Sequence, residues 1–235
     1  MTDEEIRIEQ EALDFAKAKK KDIAKRLTDP NIFPPDEHPV SVFMAGSPGA
    51  GKTESAIELI QQLGSPIVRI DVDELRNECP GYTGDNAWLF HKAASVLVDK
   101  LHDFVLDQDQ SFVLDATLSN LDRARKNISR SLSRDRYVQI NYVYQDPRLA
   151  WKFVQAREAA EGRRVPPEQF VEQYFAARNV VNEIKREFGG KVRVDLLLKN
   201  IDNSTRTFEA NVDQIDPYIP EKYGREEIEK IVKEA

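Results

Sequence analysis

Apolar positions along the chain change period several times, and each change marks an expected element. Residues 3 to 28 combine strong helix formers with a modest apolar stripe at Ile6, Leu13, Ala16, Ile23 and Leu27, which predicts an N-terminal helix. The lysines crowded between Lys17 and Lys21 predict a solvated face for it. From Asp29 to Pro39 the prolines at 30, 34, 35 and 39 deny both helix and central strand, so this stretch reads as an extended connector. The expected division is therefore 1–39, helix and proline-rich connector, and 40–235, the main domain.

Beyond the connector, short apolar runs alternate with helical patterns. Val40 to Ala45 predicts a strand, a Gly-rich turn follows, Lys52 to Leu63 reads as a helix, and Ile67 to Ile70, ending in Asp71, reads as the next strand. That is a βαβ unit. Leu89, Ala93, Val96, Leu97, Leu101, Phe104 and Val105 step by threes and fours and predict a long amphipathic helix feeding a buried strand, Phe112 to Leu114. A polar helix to about Ser133, a strand from Tyr137 to Tyr144, a helix opened by Pro147 and a strand from Val192 to Leu198 continue the alternation. Glu221 to Ala235 reads as a charged terminal helix. Strands alternating with helices predict the α/β class, a mainly parallel central sheet flanked by helices and carrying an N-terminal helical extension.

Charge and composition narrow the function classes. The chain has 34 Lys+Arg against 41 Asp+Glu, a net charge of −7, so no global basic field exists to hold nucleic acid or an anionic membrane. Any anion must be held locally. The one cysteine, Cys79, excludes an internal disulfide, and no apolar run approaches the roughly 20 residues of a membrane span. Asp3, Glu4 and Glu5 stand where a secretory signal would carry basic residues, so the expected compartment is the cytoplasm.

The strongest chemical motif is Gly46-Ser47-Pro48-Gly49-Ala50-Gly51-Lys52-Thr53, which satisfies G-x-x-x-x-G-K-[ST] between a predicted strand and a predicted helix. Backbone N–H groups of such a loop turn inward around phosphate, and the helix N-terminus adds its positive end. Lys52 would bridge β- and γ-phosphates and the Thr53 hydroxyl would ligate Mg²⁺, so ATP and Mg²⁺ are the expected cofactors.

A phosphate loop alone does not separate kinases from switches or scaffolds; the other strand ends must do so. In Arg69-Ile70-Asp71-Val72-Asp73, a carboxylate at the strand end stands where it would accept a proton from an attacking hydroxyl. Asp73 is the better candidate of the two acids, although local sequence serves equally well for a helix N-cap there. Phe112-Val113-Leu114-Asp115 resembles a Walker B strand whose acid orients Mg²⁺ or its water; the alternative is a solvated strand end. Thr117, Ser119 and Asn120 follow, where a bound acceptor or a turn and cap would place them. Arg157, Arg163 and Arg164 offer mobile cations for the transferring group, or a solvated helix end.

Taken together, the phosphate loop, Arg69 to Arg76 with Pro80-Gly81-Tyr82 after it, Leu114-Asp115-Ala116-Thr117, and Arg157 followed by Gly162-Arg163-Arg164-Val165-Pro166 resemble the zeta toxin family of bacterial P-loop kinases, over about residues 40 to 200. The resemblance implies ATP- and Mg²⁺-dependent phosphorylation of the 3′-hydroxyl of UDP-N-acetylglucosamine or a related UDP-amino sugar, and an epsilon-type antitoxin as partner. It implies Asp73 as catalytic base, Lys52 and Thr53 in the phosphate loop, and Arg157 and Arg164 as the phosphate-contacting arginines. Asp115, Thr117 and Ser119 fall where the family contacts its substrate, but Asp115 stands for a glutamate and Ser119 for an arginine. The alternatives from the residues alone are a kinase for another small acceptor, such as an antibiotic or a polynucleotide 5′-hydroxyl, and a nucleotide-dependent interaction module with no acceptor.

Overall fold

The computed structural model describes residues 1–202 and 204–234. Six strands, β1 (Val40–Ala45), β2 (Val68–Asp71), β3 (Phe112–Asp115), β4 (Tyr137–Tyr144), β5 (Val192–Lys199) and β6 (Thr205–Glu209), form one sheet in the order β2-β3-β1-β4-β5-β6. The first five run parallel and β6 closes the far edge antiparallel to β5. The helices are α1 (Asp3–Leu27), α2 (Lys52–Leu63), α3 (Val72–Arg76), α4 (His91–Asp107), α5 (Leu121–Leu132), α6 (Pro147–Glu161), α7 (Pro167–Phe188) and α8 (Arg225–Glu234).

Strands β1 and β4 and helix α2 have the bounds that the apolar pattern predicts. Four differences have physical reasons. The predicted helix from Leu89 begins at His91, because Ala87–Phe90 form a tighter 3₁₀ turn that still buries Leu89 and Phe90. α7 is long and amphipathic but opens on Pro166-Pro167, a pair that reads as a break although Pro167 suits a first helical turn. β6 alternates too briefly and stays too exposed to stand out as a strand. The terminal helix starts at Arg225, where the Glu227 carboxylate accepts from the Gly224 N–H at 2.6 Å; Ala235 lies outside the described residues.

One face of the sheet carries most of the core: Phe43, Ile70, Phe112, Leu114, Ile140 and Leu196 pack with α4, α5 and α7. The other face has a smaller cluster in which Val42, Met44, Val113 and Val143 meet Ala56, Leu59 and Ile60 of α2. α1 is secured by a capping box between Thr2 and Glu5 and by acids in its first turn and Lys25 and Arg26 in its last. Its small residues Ala12, Ala16 and Ala24 are buried in the larger core beside Leu97 and Leu101 of α4, and small side chains permit that close approach. The connector is tied down by polar contacts: Gln110 Nε2 donates to the carbonyls of Thr28 (3.0 Å) and Phe33 (2.5 Å), and Ser111 Oγ donates to Asp36 (2.8 Å). At that same end of the sheet Arg136 donates to Ser41 Oγ at 2.8 Å and to the Val40 and Gln110 carbonyls. All the predicted site residues lie at or beyond the opposite, carboxyl ends of the strands.

Candidate active site

The phosphate loop joins β1 to α2 and is wedged under its neighbours. Gly46 (φ 137°) and Gly49 (φ 71°) turn the chain where a Cβ would collide with the backbone carbonyls of Val143 and Ala150 respectively. Gly51, at φ 88°, stands at the N-cap of α2 with no side chain to cap it, so the first N–H groups of the helix face the loop. Lys52 Nζ donates to the Ser47 carbonyl at 2.7 Å, folding back across this cradle. Burial lowers its pKa to about 8, opposed by the negative charges of Asp115 at the end of β3 and Asp73 in α3.

Asp115 ends β3 with its side chain only 2% exposed. Burial and the neighbouring Asp71 push its carboxyl above the usual range, against the opposite pull of Lys52, a hydrogen bond from Thr53, and Arg69. Thr53 and Asp115 therefore face each other across the loop. A hydroxyl and a carboxylate beside a phosphate cradle are the donor set that Mg²⁺ takes, since it keeps several waters and needs few protein ligands. The residues fit ATP and Mg²⁺.

Asp73 is not an N-cap. That role belongs to Asp71, whose Oδ1 accepts from the N–H groups of Asp73 (2.8 Å) and Glu74 (3.3 Å), while its Oδ2 accepts from Arg69 Nη1 at 2.5 Å. The Asp71-x-x-Glu74 spacing was the available signal for a cap at 71. Arg69 also reaches Asp115 Oδ2 at 3.3 Å and pairs with Glu74, so one guanidinium braces both strand ends. Released from capping, the Asp73 carboxylate faces a group of arginines: Arg76 Nη1 at 2.5 Å, Arg163 Nη2 at 3.1 Å and Arg157 Nη2 at 3.7 Å.

The structure brings Arg157 and Arg163, not Arg164, to Asp73. Gly162 ends α6 at φ 73° and reverses the chain, which returns Arg163 to the site, whereas Arg164 turns out to Glu158 at 3.9 Å and is 59% exposed. The reversal packs closely on the loop after α3, because a Cβ at Gly84 would collide with the Glu161 carbonyl.

After β3, Leu118 takes a left-handed turn (φ 52°) with its side chain in the core, leaving Thr117 and Ser119 on either side with their hydroxyls 3.0 Å apart. The Gly46 N–H donates to the Thr117 carbonyl at 3.3 Å, tying this loop to the phosphate loop. Asn120 caps α5 by accepting from the Arg123 N–H at 2.9 Å.

Comparisons with known proteins give the chain its relatives. The family model for "Zeta toxin" matches residues 23–213. A search of curated proteins finds no significant match. Among solved structures, one from work on the PezAT chromosomal toxin–antitoxin system of Streptococcus pneumoniae superposes with a TM-score of 0.63 at 17% identity, covering 100% of this chain and 88% of that one. The AvrRxo1-ORF1:AvrRxo1-ORF2 complex with sulphate ions gives 0.58 at 18% identity (96% and 72% covered). The same pair with ATP gives 0.58 at 17% identity, with 96% and 71% covered. At these identities the superpositions show a shared fold, and the family model, which spans most of the chain, shows more: this protein belongs to the zeta toxin family.

Proposed function

We propose that the protein is a kinase that transfers the γ-phosphoryl group of ATP to a sugar hydroxyl, the 3′-hydroxyl of UDP-N-acetylglucosamine or a related UDP-amino sugar. The observation that carries this reading is one carboxylate, Asp73, freed from capping and faced by Arg157 and Arg163 beside a phosphate loop. Asp73 orients the acceptor hydroxyl and takes its proton as the new bond forms. Lys52 neutralises charge on the β- and γ-phosphates, and the two arginines meet the charge that spreads over the equatorial oxygens in the transition state. Thr53 and Asp115 would hold Mg²⁺, which supplies further charge neutralisation when bound. Asp115, Thr117 and Ser119 line the acceptor side, and hydroxyls flanking Leu118 suit a sugar bearing hydroxyl and amide groups.

Family membership supports the reaction type, and the structural neighbour seen with ATP supports nucleotide use. Two neighbours come from a toxin–antitoxin system and from a two-protein complex, which supports an antitoxin partner of the epsilon type. No helix among the described residues is long and apolar enough to cross a membrane, and a cytoplasmic setting completes the proposal.

The test is mass spectrometry of products after incubation with ATP, Mg²⁺ and, separately, UDP-N-acetylglucosamine, the free sugar, an aminoglycoside and a 5′-hydroxyl oligonucleotide. A phosphorylated UDP-sugar is the expected product. Turnover of another acceptor in its place overturns the substrate, and ATP-dependent partner binding with no phosphorylated acceptor overturns the kinase.

A further inference from the structure

Three arginines gather at Asp73, and a fourth stands on a neighbouring helix. Arg76, Arg157 and Arg163 converge on this carboxylate; Arg157 and Arg163 also reach Glu161, at 3.8 and 3.5 Å, and the Nε of Arg76 is buried with no hydrogen-bond partner. A further cation, Arg123, stands in the first turn of α5, and its Nη1 donates to Ser95 Oγ of α4 at 3.0 Å. No carboxylate among the described residues lies within ion-pair distance of Arg123. Ser95 lies one turn beyond His91 on the same face of α4, so Arg123 and His91 share a wall. The pKa of His91 is lowered, by desolvation first and then by the positive charges of Arg76 and Arg123, although part of its surface remains exposed. α3, which carries Arg76, packs on α4. Ser119, on the acceptor loop itself, carries no charge to meet an anion.

We propose that Arg76, His91, Ser95 and Arg123 form an anion subsite, built by α3, α4 and α5, that takes the phosphate or diphosphate group of the acceptor. The inference rests on the reading of a nucleotide-sugar acceptor and deepens it: the chain selects acceptors by their phosphate as well as by their sugar. Arg123 supplies, from one turn inside α5, the cation that the loop lacks. A guanidinium with no acid partner and three donor neighbours is suited to a multiply charged oxyanion, because each contact to it is charge-assisted.

Two measurements test this with Arg123→Gln and Arg123→Lys. In the first, the KM for UDP-N-acetylglucosamine is determined at saturating ATP and Mg²⁺. Loss of one charge-assisted contact should raise it about tenfold with a much smaller change in kcat, and lysine should recover part of the loss. In the second, UDP is titrated calorimetrically into protein whose phosphate loop is already filled by AMP-PNP and Mg²⁺. Its Kd should rise by a similar factor in Arg123→Gln, whereas uridine, which has no phosphate, should not distinguish the variants. An unchanged UDP affinity in Arg123→Gln overturns the subsite, as does a failure of the unaltered chain to bind UDP. If UDP binds through Arg123 but no UDP-sugar is phosphorylated, the subsite stands and the acceptor reading falls.

Discussion

Arg163 Nη2 lies 3.1 Å from Asp73 Oδ2, while the adjacent Arg164 faces away toward Glu158. The pair differs in one residue of sequence and in everything else that matters to charge. Arg163→Ala should lower kcat on the order of a hundredfold with a small effect on ATP binding, because the lost contact strengthens only as charge develops. Arg164→Ala should change kcat by no more than a few fold. Steady-state kinetics of the two variants decide the matter, and a damaging Arg164→Ala with a silent Arg163→Ala would give the role back to Arg164.

Asp71 caps α3 and Asp73 is the proposed base, so capping and catalysis should separate cleanly. Asp73→Asn should leave the fold's stability near that of the unaltered chain and cut turnover by a factor on the order of 10² or more, since only the proton acceptor is lost. Asp71→Ala should cost about 1 kcal/mol or more of stability, because it removes the N-cap of α3 and one partner of Arg69. Thermal melts and rates for both variants check this. Near-normal turnover of Asp73→Asn would remove Asp73 as base.

Lys52 should pick up a proton when nucleotide binds. With its pKa near 8 in the free protein, a sizeable fraction is neutral at pH 8 to 8.5, and phosphate anions favour the ammonium. Calorimetric titration of ATP in buffers of different ionisation enthalpy should show proton uptake in this range, and Lys52→Met should abolish it along with most phosphoryl transfer. The free protein should also gain stability at this site as pH rises from about 8 toward 10.5, since the unfolded chain holds the proton longer. Proton release on binding would contradict the placement of Lys52.

His102 is fully buried beside Phe43 and Phe112, and its Nδ1 lies 3.2 Å from the Arg130 Nη1, an arrangement that requires a neutral ring accepting at Nδ1. Burial, reinforced by Arg130, lowers its pKa to about 3. The unfolded chain takes up the proton near pH 6.5 and the folded chain does not, so stability present above pH 6.5 is lost as pH falls toward 3. Between pH 7 and pH 5 the loss from this group should be about 2 kcal/mol. Urea unfolding at both pH values should show that extra loss in the unaltered chain and not in His102→Gln.

Much of the fold was legible because its strands are buried and its helices amphipathic: β1, α2 and β4 follow directly from runs of apolar residues or their period. α7 and β6 were not, the first hidden behind two prolines and the second too short and exposed to show a pattern. At the site, the phosphate loop is a local motif and was readable, and the acids at 73 and 115 followed from strand ends. What sequence could not settle was direction. Whether Asp71 or Asp73 caps α3 depends on which carboxylate turns back to the helix, and whether Arg163 or Arg164 enters depends on the reversal at Gly162. Arg123 escaped notice because its role depends on α4 and α5 meeting, a contact between residues far apart in the chain.

Asp71 and Asp115 are register partners in the parallel pairing of β2 with β3. One precedes Asp73, the proposed base, and fixes the helix that carries it; the other faces the phosphate-loop threonine. In the proposed reaction the separation between its two halves is therefore gauged by the spacing of adjacent strands, about 4.8 Å, a length that backbone hydrogen bonds hold constant. The sheet works as a ruler, and alignment of donor and acceptor does not wait for the arginine loop. Slackness in that loop should show as missing charge rather than as misplaced substrates, so that small guanidinium-like cations supplied in solution would restore part of the rate to an Arg163 variant and none to an Asp71 variant.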